Sequence, residues 1–256
     1  MSIIELPYGA VLLKNFINSD QQFEFVNDLL HLHKLSGNRV GDNNNRPNPL
    51  FTYNAGNRMN YYCKNVDSKI KSDLDKKSIN NILKLGEMAS EILNDVKKND
   101  KYKSNVYKFK ITKDDDDDIE NVIMKSDSMY CVSYNKGNTC YRHIDGWYSW
   151  VVGVSFGLSS DFRYGFRKDI TEEHIEATES NAHTLKKAYK KKDIIVKIDS
   201  GDILLFNGNL LHHSVTKIYD NLPPFWQRLD NYDERIKRIC LQFRDSRTID
   251  SDLLVP

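Results

Sequence analysis

Apolar and polar positions divide the chain into an opening stretch with helical spacing and a longer stretch with strand spacing. Val11 to Leu13 is a short apolar strand closed by Asn15. Ser19-Asp20-Gln21-Gln22 reads as a capping box, with the serine oxygen serving an orphan amide and Gln22 reaching back. The helix it opens carries Phe23, Val26, Leu29 and Leu30 on one stripe. Asn43 to Pro49 is turn-rich, and Phe51 to Tyr62 is aromatic and polar without helical period. A second helix is predicted from Ile79 to Val96, where Ile82, Leu85, Met88, Ala89, Ile92, Leu93 and Val96 recur at helical spacing.

The texture changes after Asp114 to Asp118, five consecutive aspartates. Met129–Tyr134, Trp150–Phe156, Asp161–Phe166, Ile194–Ile198, Ile203–Phe206, Leu211–Ile218 and Ile236–Phe243 are short β-branched or aromatic runs. Asn135-Lys136-Gly137, Asp199-Ser200-Gly201-Asp202 and Asn207-Gly208-Asn209 supply turns between several of them. Many short strands with turn signals predict a β-sandwich or jelly roll. The chain therefore reads as an α/β part of about 125 residues leading into a β core, the two forming one cooperative unit.

Composition narrows the class. At 256 residues and 29.8 kDa the chain buries roughly 70–75% of its unfolded surface, so it needs no disulfide or metal staple to fold. It is too aromatic for a disordered chain (Tyr 14, Phe 11, Trp 3) and its apolar runs are too short to span a bilayer. The first residues lack the basic region and cleavage site of a signal peptide, and the four cysteines show no CxxC spacing. A reducing, intracellular setting, cytoplasmic or nuclear, is expected. A net charge of +1 gives no global pull toward nucleic acid. The aspartate block reads as a solvated loop insertion. The lysine block, Lys186, Lys187 and Lys190 to Lys192 around Tyr189, is open between plain surface and phosphate contact.

Seven histidines are few enough to weigh singly. His143 and Asp145 stand at i and i+2, so an extended backbone aims both at one face, where imidazole and carboxylate can grip one metal ion. His213 ends a strand introduced by Ser200-Gly201-Asp202 and is the candidate third ligand. Two histidines and one carboxylate leave coordination positions open, as in the facial triad of non-haem Fe(II) oxygenases. His212 competes with its neighbour, but the two point to opposite faces of a strand, so only one can join the group. His174-Ile175-Glu176 repeats the spacing in a stretch that reads as helical or looped, and it is read as surface, as is His183. His31 and His33 lie near a helix end, in solvated or capping roles. In the last strand Arg238, Cys240, Gln242 and Arg244 alternate with Ile239, Leu241 and Phe243. Two arginines on one face of a core strand call for an anion, and a dicarboxylate suits their forked donors.

These stretches together resemble the AlkB family of Fe(II)- and 2-oxoglutarate-dependent dioxygenases. The resemblance runs through Leu6 to Leu13, Tyr134-Asn135-Lys136-Gly137, His143-Ile144-Asp145, Val154 to Gly157, Gly201 to Leu205, His213-Ser214-Val215 and Arg238 to Arg244. It implies an α+β fold with a double-stranded β-helix (jelly-roll) core at residues 126–247, an N-terminal α/β extension with a nucleotide-recognition lid at 1–125, and a tail at 248–256. It implies that His143, Asp145 and His213 hold Fe(II), that Arg238 and Tyr134 bind the distal carboxylate of 2-oxoglutarate, and that Arg244 serves the end next to iron. Val132 and Cys240 stand where the family carries Asn, which removes or replaces a hydrogen bond to the co-substrate. With O2, the implied reaction is oxidative demethylation of an N-methylated nucleobase in DNA or RNA, flipped out or single-stranded, with release of formaldehyde, succinate and CO2. The implied enzyme is a monomer, without membrane or obligate protein partner. Tyr61 and Tyr62 are candidates to stack on the base, equally readable as lid packing. Trp147 stands where some DNA-repair members carry a base-reading carboxylate; an indole stacks but accepts no hydrogen bond. Two alternatives use the same fold: a 2-oxoglutarate-dependent hydroxylase of protein or a small molecule, and an inactive nucleic-acid-binding module.

Overall fold

Apolar residues at every second position along most of the C-terminal half leave each strand with two distinct faces, and the strands assemble into two sheets. The computed structural model describes residues 2–41, 46–54, 64–98, 124–145, 150–166, 175–176, 183–185, 193–208, 211–230 and 232–244. The larger sheet contains β1 (Ser2–Glu5), β2 (Val11–Lys14), β3 (Asn48–Tyr53), β4 (Ser128–Tyr134), β6 (Trp150–Gly157), β11 (Ile203–Asn207) and β13 (Arg238–Arg244), in the order β1-β2-β11-β6-β13-β4-β3. The smaller contains β5 (Cys140–Ile144), β7 (Ser160–Phe166), β8 (Ile175–Glu176), β9 (His183–Leu185), β10 (Ile194–Ile198) and β12 (Leu211–Ile218), in the order β10-β7-β12-β5-β9-β8. Neighbouring strands run antiparallel in both sheets. This is the expected α+β jelly roll, and β1 to β3 from the N-terminal part extend its larger sheet.

Two helices, α1 (Ser19–Ser36) and α2 (Asp73–Lys98), pack against each other and cover the outer face of that sheet. Val26 and Leu29 of α1 and Ile82, Leu85, Ala89 and Leu93 of α2 share one core with Val152, Val154 and Phe156 of β6 and Ile239, Leu241 and Phe243 of β13. Gly86 makes the approach possible, because a Cβ there would lie 2.7 Å from the Phe243 ring and 2.9 Å from Ser126 Cβ. The opposite, inward positions of the same strands behave differently. Val151 joins Phe162, Tyr164, Phe166, Leu204 and Phe206 in a second apolar cluster between the sheets. Gly153 and Ser155 are small and leave a cavity beside it.

The capping box of α1 is one residue earlier than expected. Asn18 is the cap, accepting from the Asp20 and Gln21 amides, and Gln21 accepts from the Asn18 amide. Asparagine serves this position as well as serine does. Gln22 is thereby freed to turn inward, where it donates to Ile17 O at 2.7 Å and accepts from Ser200 Oγ at 2.5 Å, tying α1 to the β10–β11 turn. Helix α2 begins six residues earlier than its apolar stripe, because Ser72 and Asp75 exchange bonds at 2.9 and 3.1 Å in a capping arrangement. His31 is bonded to the same Asp75 at 2.8 Å, so it links the helices rather than lying free in solvent. Asn48–Tyr53, read as loop and unpatterned chain, is a strand on the edge of the larger sheet, with Leu50 and Phe51 buried in the main core. Ile175–Glu176, read as helical or looped, is a short strand. Among the described residues no helix is long and apolar enough to cross a membrane.

Candidate metal centre and adjoining cavity

The metal-type group forms because β5 and β12 are neighbours and their histidines fall in register. His213 on β12 faces His143 on β5, while Val215 faces Cys140. Three steps along β5 therefore match two along β12, which is a β-bulge at Tyr141-Arg142. A bulge re-aims side chains beside it, and here Cys140 and His143 both reach the cavity between the sheets. Asp145 follows the strand. Its amide donates to Gly208 O at 3.0 Å, and a Cβ on Gly208 would lie 2.1 Å from Asp145 Oδ2, so only glycine leaves room for that carboxylate.

One donor atom from each of His143, Asp145 and His213 can be chosen so that all lie within 4.8 Å of one another. His143 Nε2 is 3.7 Å from Asp145 Oδ1, and His213 Nε2 is 4.0 Å from Asp145 Oδ2. Each ring places Nδ1 at 2.9 Å from a carbonyl two residues back on its own strand, Tyr141 O and Leu211 O. With Nδ1–H donating there, both Nε2 lone pairs are left for a metal, the orientation that second-layer bonds usually impose on ligating histidines. Phe162 stacks on the His213 ring at 5.6 Å and Phe206 meets it edge-on at 4.9 Å, which fixes its plane.

Electrostatics suit the same purpose at Asp145 and His213; at His143 burial, which lowers the pKa, is outweighed by Cys140, Asp145 and the Tyr141 carbonyl, which raise it to about 9. Burial alone would raise the pKa of Asp145, but Arg244, His213 and His143 hold it below the usual carboxylate range. Burial, reinforced by the neighbouring His143, pushes His213 down to about 3, so its imidazole is neutral and able to ligate. Arg244 Nη1 lies 3.0 Å from Asp145 Oδ2, and its Nη2 donates to Gln242 at 3.1 Å.

A cavity partly open to solvent runs inward from the two histidines and is bounded by Tyr134, Ser155, Arg238, Cys240 and Gln242 among others. Arg238 is 2% exposed, yet among the described residues no carboxylate lies within ion-pair distance of it. Its Nη1 donates to Leu158 O at 2.6 Å and its Nη2 to Ser155 Oγ at 2.7 Å, while the buried Nε has no hydrogen-bond partner. Burial lowers its pKa, which is the penalty of an unpaired charge. Tyr134, its register partner on β4, is also buried beside it.

The structure therefore brings His143, Asp145, His213, Tyr134, Arg238 and Arg244 to one place. His212 points away to the outer side of the smaller sheet, as alternation requires. Val132 is buried in an apolar cluster with Tyr134, Leu158 and Ile218, and Cys240, packed against the same cluster, lines the cavity. Tyr61, Tyr62, Trp147, His174, the aspartate block and the lysine block lie outside the described residues. Several site residues were given no role by the sequence. Ser155 and Gly208 are defined by register, and Tyr141, 49% exposed, sits in the bulge with its ring 5.5 Å from that of His143.

No family model matches the sequence, and no curated protein matches it. Among solved structures, the chain is similar to OsALKBH1, at 16% identity and a TM-score of 0.49 over 95% of this chain and 100% of that one. It is similar also to a 2OG-Fe(II) oxygenase family oxidoreductase from Burkholderia pseudomallei, at 11% identity and a TM-score of 0.44 over 94% and 86%. Neither likeness, at these scores, assigns an activity or a substrate. What the molecule itself presents is a jelly roll with a His-Asp-His group at the mouth of an arginine-ended cavity, the arrangement that its sequence resemblance leads one to expect.

Proposed function

We propose that this protein is an Fe(II)- and 2-oxoglutarate-dependent dioxygenase that oxidatively demethylates N-methylated nucleobases in DNA or RNA. The observation that carries the co-substrate is Arg238: a buried guanidinium with a free Nε, at a cavity that opens on three metal-type donors. An anionic group long enough to reach from that arginine to the donors completes both at once. A five-carbon dicarboxylate with an adjacent keto group does so.

The donor set fits a divalent transition metal. Two imidazoles and one carboxylate would fill one side and leave the other open for exchangeable ligands. His143, Asp145 and His213 would hold the ion. Arg238 and Tyr134 would take the distal carboxylate, with Leu158 O and Ser155 Oγ aiming the guanidinium. Arg244 steadies Asp145 and lies beside the end nearest the metal. When bound, iron would supply the oxidation of a methyl C–H bond to an alcohol, coupled to conversion of 2-oxoglutarate and O2 to succinate and CO2. The hydroxymethyl amine so formed loses formaldehyde and returns the bare base. Tyr141, at the mouth beside His143, offers a face on which a flipped or unpaired base can stack.

Formaldehyde and succinate release tests the reading, with single- and double-stranded oligonucleotides of DNA and RNA carrying 1-methyladenine, 3-methylcytosine or N6-methyladenine. Turnover that depends on the methyl group is expected, and Asp145→Ala abolishes it. If 2-oxoglutarate is consumed equally with unmethylated strands, the nucleobase assignment is wrong although the oxygenase assignment stands.

A further inference from the structure

Behind the two histidines, on the outer side of the smaller sheet, is a second charged group that the reaction does not explain. Its centre is Asp193, just before β10, with a side chain only 1% exposed. Arg142 Nη2 is in contact with Asp193 Oδ2, and Arg163 Nε lies 2.5 Å from the same oxygen. His212 Nε2 is 3.9 Å from Oδ1. The His212 ring lies over Gly165, its register partner on β7, where a Cβ would come within 2.5 Å of it and 3.2 Å of Asp193 Oδ1. One carboxylate thus ion-pairs arginines from β5 and β7 and packs beside the His212 ring of β12.

The neighbours of those side chains matter most. Arg142 directly precedes His143 and sits in the β-bulge, and His212 directly precedes His213. A bulged pair lacks part of the ladder that normally fixes strand rotation, so its side-chain directions depend on what holds them. We infer that Asp193 is a positioning residue for the metal centre: by holding Arg142 and His212 on the outer face it sets the inward aim of His143 and His213. Arg163 is ion-paired with the same carboxylate but stands on β7, which supplies no ligand, and so it serves as an internal control.

The inference rests on the reading that His143, Asp145 and His213 hold a metal, and the experiment separates the two. Co(II) is titrated into metal-free wild type, Asp193→Asn, Arg142→Met and Arg163→Met, following the visible d–d bands and the affinity. Thermal unfolding of each metal-free protein is recorded alongside. Arg142→Met is expected to lower Co(II) affinity by about 10-fold or more and to alter the band shape, in the range that outer-layer partners command. Arg163→Met is expected to leave both near wild type, even where its melting temperature falls as far. Asp193→Asn follows Arg142→Met; if it does not fold, the two arginine variants still decide. Equal effects of Arg142→Met and Arg163→Met, or no effect of Arg142→Met, overturn the inference. Failure of wild type to bind Co(II) at the triad overturns the metal reading on which it stands.

Discussion

Gly208 has no side chain, and the Asp145 carboxylate occupies the space a Cβ would take. Gly208→Ala must push that carboxylate aside. We expect it to weaken Co(II) or Mn(II) binding by about 10-fold while costing little stability, measured by metal titration beside chemical denaturation. Nothing in Asn207-Gly208-Asn209 beyond a turn signal announces this role, because it arises where two distant strand ends meet. The ligands themselves were legible. His143 and Asp145 show their common face through spacing alone, and β13 shows two arginines on one side by strict alternation. Sequence does not reveal that Arg238 is left without a carboxylate, since that depends on which residues surround it in space. Titration at single residues is equally local. Burial would raise the pKa of Asp199, yet hydrogen bonds from Lys14, Ser159 and Lys197 hold it at about 2, against 3.8 for the ordinary group. A depressed carboxylate contributes stability that is fully present above pH 3.8 and lost as pH falls toward 2. Lys14→Met should raise the Asp199 pKa, read by carboxyl NMR titration, and narrow that acid-dependent loss.

Secondary-structure elements were predicted best where one period governs them and least where a partner decides. The strands β4, β6, β7, β10, β11 and β12 fall within a residue of the apolar runs that predict them. Strand β3 was hidden because Asn48 and Pro49 look like turn residues; its edge position on the sheet tolerates a proline that a central strand would not. Strand β5 has no apolar run, since Tyr141 and Arg142 form its bulge. Helix α2 was found by its stripe, but its first turn is set by Ser72 and Asp75 rather than by apolar spacing. The contact of α2 with β13 is closest at Gly86. Gly86→Ala gains helix propensity yet inserts a methyl into the Phe243 ring, and overpacking of this kind costs about 1–3 kcal/mol. A lower denaturation midpoint with unchanged metal affinity is the expected result, because α2 lies on the face of the sheet opposite the cavity.

Across the whole molecule, one sheet has two jobs. Its outer face buries Val152, Val154, Phe156, Leu241 and Phe243 under the helices, which gives a rigid support. Its inner face gives up side-chain volume at Gly153 and Ser155 and admits the charges of Arg238 and Arg244, which keeps a polar cavity inside an otherwise apolar sandwich. The smaller sheet completes the arrangement by bringing His143 and His213 into register. The central claim is that these two sheets jointly hold a metal ion and a dicarboxylate, and it is tested by calorimetric titration of 2-oxoglutarate under anaerobic conditions. Wild type loaded with Fe(II) is predicted to bind it stoichiometrically, with binding lost on removal of the metal and weakened on the order of 100-fold by Arg238→Met, as expected when one partner of a buried ion pair is removed. Binding that persists without metal, or that is indifferent to Arg238→Met, would contradict the account.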